Sequence, residues 1–525
     1  MGRTPLFRRV RDLLVGGEAP QRAGGLTRRE LLTRSAAAVG AVAIGSLPGC
    51  SSPVGESTSG SRMPLIKVNA DIGVVGAGMA GLAFAYEMKR AGNVVTLHEG
   101  NGRAGGRVWS LSGTFAQQVV ERGGELIDTP HKTMLGYVNE FGLSVEDVSK
   151  PRLATAYRFG GQSISEQTMV DEYRALVDSM RDDLRTIGAP TASAFTPAEV
   201  TLDRMSLREY LQTRGAGANI AKLLNVAYAI EYGVETDALS CLAFLLFAKA
   251  SRQSKLRLWG NFSDERYHVV SGNQGIVDAL VARLPNQIRL GRRLVRVAKT
   301  SAGRVELTFK EGTKTTVVTH DAVVLTLPFT VLRDVELDSS LGLPAWKQTA
   351  IQNVVYGTNA KLMVGFNSRP WITQGSSGAA YSDLAHLQTT WETNAANASA
   401  TRGVLTDYTG GVLGASLSDA QADTARFLDD LDLVYPGAKA AARKDSKGRY
   451  VAHLEAWPTS PWTKGSYTAN QPGYFTTIAD NEAKPIGNLY FAGETTSSFY
   501  EWQGFMEGAA LSGLRAAGEV VNDFK

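Results

Sequence analysis

The residues best spaced for chemistry begin at Gly76-Ala77-Gly78-Met79-Ala80-Gly81. They follow the apolar run Asp71–Val75 and precede Leu82–Arg90, whose apolar spacing is helical, after which Asn93–Glu99 reads as a second strand ending in an acid. This strand, glycine turn, helix, strand order predicts a dinucleotide site. Gly76 permits the tight turn, Gly78 lets backbone approach a pyrophosphate at the helix N-terminus together with Met79 and Ala80, and Gly81 lets helix and strand pack closely. Glu99 is expected to accept ribose hydroxyls, which argues against a 2′-phosphate. A second glycine turn, Gly100 to Arg107, carries Arg103, Gly106 and Arg107, and its two guanidinium groups suit phosphate oxygens. Simple NAD dehydrogenases do not need this second turn.

Far from that start, "LYFAGETTSSFYEWQGFMEGAALSG" (Leu489 to Gly513) places Gly493 and Glu494 after a short apolar strand and ahead of a small-residue helix. Such a junction lets backbone come close to a bulky ligand.

These pieces need a large scaffold. The 525 residues, 43% hydrophobic and 20% charged, suit a globular protein of two domains. Residues 1–49 hold eight Arg against Asp12, Glu18 and Glu30, a net +5, so the rest carries −1 of the overall +4 and no nucleic-acid footprint. Thr27-Arg28-Arg29-Glu30-Leu31-Leu32 precedes the uncharged run Ser35–Ser46, which is too short to span a bilayer and resembles a twin-arginine export signal. Leu47-Pro48-Gly49-Cys50 resembles a bacterial lipobox with Cys50 lipidated; ordinary signal cleavage nearby is the alternative. Either way a periplasmic or extracellular location is expected. Residues 51–67 read as a linker, rich in Ser and Gly to Arg62. With Cys241 the only other cysteine, no disulfide framework is expected, and Cys241 reads as a small buried hydrophobe. No metal-ligating cluster or Ser-His-Asp arrangement is evident.

"RAGGRVWS" followed by "ERGGELID" resembles the flavin amine oxidase family, which includes monoamine, L-amino-acid and polyamine oxidases, from about Asp71 to the end. "HVVSGNQGIVDAL", "IRLGRRLVRV" and "DAVVLTLPFTVL" fit the same family in order. The resemblance implies FAD, with Gly123, Gly124, Glu125 and Leu126 on the flavin and the backbone at Leu294 on the adenine. It places Lys361, in "GTNAKLMVGFNSRPW" with Trp371 ten residues on, at the lysine that holds a water against flavin N5. Trp457 falls at an aromatic near the flavin, Tyr467 and Phe505 at the two walls of an aromatic cage, and Glu494 at the ribityl or pyrophosphate. Gly504, Phe505, Met506 and Ala509 begin a helix whose N-terminus points at the flavin pyrimidine. Ser466 stands where mammalian monoamine oxidases carry the flavin-bonded cysteine, which implies non-covalent FAD.

The fold class implied is α/β, a discontinuous Rossmann-like FAD-binding domain (68–145, 266–345 and 460–525) with a mixed α+β substrate-binding domain (146–265 and 346–459). Ser163–Ile187 and Ser206–Tyr232 are expected to be mainly helical. The implied reaction is oxidative deamination of a primary amine or an L-amino acid, with hydride passing to flavin N5, imine hydrolysis and reduction of dioxygen to hydrogen peroxide. Leu126 occupies the position where snake-venom L-amino-acid oxidases carry a carboxylate-binding arginine, while "ERGGELIDTPHKTM" also resembles bacterial amino-acid oxidases, so both substrate classes stay open. A flavin dehydrogenase or desaturase with a non-oxygen acceptor, a non-catalytic flavoprotein scaffold, a lipid anchor at Cys50 and a homodimer stay open too.

Overall fold

The computed structural model describes residues 66–115, 118–149, 153–248, 256–259, 263–393 and 401–525. The twin-arginine segment, Cys50 and the linker up to residue 65 lie outside them.

Strand Ile72–Val75 is buried along its whole length and lies in the middle of a five-stranded sheet, between Ala322–Leu325 and Val95–His98. Leu489–Phe491 and Ile288–Arg289 extend this sheet at its two edges, and every pairing in it is parallel. Unbroken apolar strands such as Ile72-Gly73-Val74-Val75 belong where helices cover both faces. Helix Met79–Arg90 starts at Gly78, one turn earlier than the Leu82 start read from sequence. It packs against the last helix, Met506–Asp523, so tightly that a Cβ on Gly513 would lie 2.3 Å from the Ala80 carbonyl oxygen. Gly513 therefore serves helix packing, while Gly508 lies against the preceding turn, where a Cβ would meet the Trp502 carbonyl oxygen at 1.9 Å. A four-stranded sheet (Arg293–Lys299, Val305–Glu311, Lys314–His320, Glu336–Leu337) adjoins in sequence.

A seven-stranded, largely antiparallel sheet takes its strands from 154–163, 360–392, 403–409 and 452–456. Its strand Ala360–Phe366 alternates faces. Ala360, Leu362, Val364 and Phe366 enter a core with Trp371, Phe427 and Leu431, so Lys361 points the other way. Trp371, ten residues after Lys361, is buried in that core and donates its Nε1 hydrogen to Glu392 at 2.9 Å. The helices expected in this half are Glu166–Thr186, Leu207–Thr213 and Ala218–Tyr232. The last stops at Gly233, which takes the left-handed conformation (φ 68°) that favours glycine. Cys241 is buried, its Sγ 2.9 Å from the Leu202 carbonyl oxygen.

Candidate active site

A cavity of about 390 Å³ runs between the two large sheets. Its first end is the turn predicted from sequence. Gly76, Gly78, Met79, Ala80, Glu99, Gly100, Arg103, Gly106 and Arg107 all line it. Gly81 does not. A Cβ there would meet the Gly76 carbonyl oxygen at 2.0 Å, so its role is the close packing of helix on strand. The Glu99 carboxylate accepts from the backbone N–H of Ala77 and of Asn101, both at 2.7 Å, and burial raises its pKa. Arg103 and Arg107 are also held by protein contacts. Arg103 donates to the carbonyls of Ala104 and Gly106 while stacking on Trp109, and Arg107 donates to the Ser466 carbonyl and to Glu494 (2.9 Å). The Arg103 acceptors lie within its own turn, whereas Arg107 reaches across to the distant Ser466 and Glu494.

The middle of the cavity is lined by Gly123, Gly124, Leu126, Leu294, Trp457, Gly493, Glu494 and Gly504. A Cβ on Gly123 would lie 1.7 Å from the Arg107 carbonyl oxygen, which ties the "ERGGELID" turn to the phosphate-side turn. Trp457 donates its indole hydrogen to the Arg122 carbonyl at 3.0 Å, with its ring edge over Gly123. Met506 and Ala509 line the cavity at the start of the last helix, whose cap residue is Phe505. That helix and Met79–Arg90 both begin without a side-chain cap hydrogen bond, and both helix starts open on the one cavity.

At the other end stand Lys361, Glu125, Trp391, Tyr408, Tyr467 and Phe505. Lys361 pairs with Tyr408 in strand register, which puts both on the cavity face. The Lys361 ammonium donates to Glu125 Oε2 (2.7 Å), the Gly123 carbonyl (2.8 Å) and the Glu121 carbonyl (3.2 Å). These three acceptors satisfy the three ammonium donors and hold the charge at the edge of the cavity. Trp391 Nε1 donates to the second Glu125 oxygen at 2.9 Å. The Tyr408 and Tyr467 hydroxyls are 2.8 Å apart, and Tyr467 donates to the Ile230 carbonyl at 3.2 Å. Burial keeps both phenols protonated. Phe505 meets His131 edge-on at 5.4 Å, and burial lowers the pKa of that histidine to about 3, so the ring stays neutral.

Sequence reasoning missed Glu231, Glu265, Trp391, Tyr408 and Trp462, which also line the cavity. Tyr408 could have been found from strand pairing with Lys361. Trp462 packs over Gly100, where a Cβ would meet its ring at 2.5 Å.

Glycine turns that only backbone can approach, an acid behind them and two uncapped helix starts fit a dinucleotide flavin, and the ring-lined end fits an apolar substrate group. These features define a flavin-dependent oxidase. The sequence pattern of the flavin containing amine oxidoreductases matches residues 79–521, and the chain belongs to that family. It is an FAD-dependent oxidoreductase acting on amines. The chain is 28% identical over 483 residues to the flavin-dependent L-tryptophan oxidase RebO of Lentzea aerocolonigenes, covering 85% of this chain and 96% of that one. Its fold resembles that of putrescine oxidase bound to putrescine (TM-score 0.72, 22% identity, 86% of this chain and 99% of the other). It also resembles cyclohexylamine oxidase from Brevibacterium oxydans (TM-score 0.72, 18% identity, 87% and 99%).

Proposed function

We propose that the enzyme deaminates a primary amine that carries no α-carboxylate, and that it does so after export. The observation that carries the substrate reading is the charge of the ring-lined end. Glu231, Glu265 and Asp128 face it, and among the described residues its cation is Lys361, already paired with Glu125. A substrate carboxylate would meet acidic side chains there with no guanidinium to receive it. The arginines that line the cavity, Arg103, Arg107, Arg292 and Arg293, belong to the glycine-turn end and its neighbouring strand.

When bound, FAD supplies the acceptor for the hydride of the amine's α-carbon and returns the electrons to dioxygen as hydrogen peroxide. The chain's own residues bind and desolvate. Tyr467 and Phe505 wall an apolar slot in which the neutral amine is favoured over the ammonium. Lys361 and Glu125 fix a buried charge pair beside that slot. Ser466 offers no thiol for covalent attachment, which supports dissociable FAD.

A peroxide-coupled screen of amines beside their α-carboxylated counterparts tests this reading, since only the carboxylate differs within each pair. Turnover confined to the carboxylated members would overturn it. The arginine pair Arg28-Arg29 and Cys50 support export by the twin-arginine pathway with a lipid anchor. A double Arg28→Lys, Arg29→Lys variant should accumulate inside the cell, and unchanged export would rule that pathway out.

A further inference from the structure

Asn273 opens helix Gln274–Ala282, and an asparagine in that position ordinarily caps its helix by accepting from one of the first N–H groups. Here the side chain makes no cap. Fully buried, it reaches instead to the Glu121–Glu125 turn. Its amide donates to the carbonyls of Gly124 (3.0 Å) and Glu125 (2.7 Å), and its Oδ1 accepts from the Val269 N–H at 3.0 Å. Both amide hydrogens are used, which fixes its orientation. Its backbone N–H donates to the Glu121 carboxylate at 2.7 Å, so one residue holds both ends of the turn. The next N–H of the helix, that of Gln274, is served by Ser110 Oγ at 3.0 Å.

The same turn supplies all three acceptors of Lys361, the Glu121 and Gly123 carbonyls and the Glu125 carboxylate. Lys361 arrives from the seven-stranded sheet on a flexible stem, so these acceptors decide where its charge rests. The N–H side of the turn is set by backbone, Arg122 donating to the Trp109 carbonyl at 2.9 Å and Gly124 to the Arg107 carbonyl at 3.0 Å. Asn273 sets the carbonyl side. The two carbonyls its amide bridges belong to the peptide planes on either side of Glu125, and holding both planes fixes the direction in which the Glu125 side chain leaves the backbone. That side chain is the one charged partner of the lysine.

We propose that Asn273 is a positioning residue for the oxygen half of the reaction. By fixing the backbone on both sides of Glu125, it sets where the Lys361 ammonium stands at the cavity edge, and so how well that charge assists reoxidation of the reduced enzyme by dioxygen. This rests on the flavin oxidase reading above and on a part for Lys361 in the oxygen step, and it is independent of which amine is the substrate.

The test uses the FAD-loaded enzyme reduced with dithionite, so no amine is needed. Stopped-flow mixing with oxygen gives the reoxidation rate. Titration of the oxidised enzyme with sulfite, whose binding leaves negative charge on the flavin, reports the nearby cation without turnover. Asn273→Ala should slow reoxidation and weaken sulfite binding, each by about tenfold, the worth of a misplaced charge. Asn273→Ser, whose hydroxyl is too short to reach both carbonyls, carries the same expectation where the alanine variant does not load flavin. In a Lys361→Met background, Asn273→Ala should add less than about twofold to either defect, because the group it positions is gone. Gln274→Ala, at the next helix position, should match wild type in both measurements. Wild-type values in an Asn273 variant that loads flavin, equal slowing with and without Lys361, the same defect in Gln274→Ala, or loss of flavin loading in both Asn273 variants would overturn the role. An amine screen without turnover, beside a reoxidation that still depends on Lys361 and Asn273, would refute the substrate reading and leave the role of Asn273 standing.

Discussion

Replacing Lys361 by Met removes one half of a buried ion pair. The side chains of Lys361 and Glu125 are 6% and 4% exposed, their charged atoms 2.7 Å apart. Met fills similar volume, so the cavity term is small and the electrostatic one decides. The Glu125 carboxylate would keep only Trp391 Nε1, and the carbonyls of Gly123 and Glu121 would lose a charged donor. Breaking a buried pair from one side costs about 3–5 kcal/mol, because an uncompensated charge is left behind. Adding Glu125→Gln removes that charge while leaving an amide oxygen for Trp391, so the double variant should recover at least half of the loss. Urea unfolding at saturating FAD, with all four members of the cycle measured together, gives the coupling. A Lys361→Met loss below about 1 kcal/mol, or a double variant less stable than the single, would refute the claim that the pair is buried and mutually dependent. The cycle also bears on turnover. Lys361→Met should slow reoxidation of the reduced enzyme by oxygen more than its reduction by substrate, since a fixed cation favours developing negative charge on oxygen. Stopped-flow traces in which neither step changes would remove the lysine from the oxygen step.

Gly81→Ala places a methyl 2.0 Å from a backbone oxygen, which cannot swing aside, so the flavin-to-protein ratio of the purified variant should fall sharply; full FAD loading would contradict the packing role. Acid precipitation should release all of the flavin, because Ser466 spends its hydroxyl on Asn359 Oδ1 at 2.6 Å and has no thiol to offer. Flavin retained in the pellet would be the opposite result. Glu231→Gln should stabilise the substrate-free protein at about pH 8 and make little difference near pH 4. The sign follows from a folded-state pKa raised by burial, since both states are protonated in acid and only the folded state resists losing the proton as pH rises. Thermal midpoints that shift equally at both pH values would count against the raised pKa.

How far the site can be read in the chain depends on whether a residue's role is set locally or by folding. The turn at Gly76 to Gly81 is legible because its geometry is set within a few residues: helix Met79–Arg90 and strand Val95–His98 lie within a residue or three of where spacing places them. Lys361 is different. Local pattern makes it an ordinary strand residue, and only a resemblance singled it out. Even then, the partners that use its three hydrogens come from the Glu121–Glu125 turn more than two hundred residues earlier. Arg107 is similar, since the Ser466 carbonyl and the Glu494 carboxylate that accept from it lie 359 and 387 residues further on.

Glu231 and Glu265 carry the least local signal. One closes a helix that reads as plain core packing, the other sits in a loop beside Asp264, and a surface acid would look alike in both places. What distinguishes them is that both line the cavity, a property that exists only once the segments around it are in place. Specificity in this fold therefore resides in contacts between segments that the flavin-binding turns do not constrain.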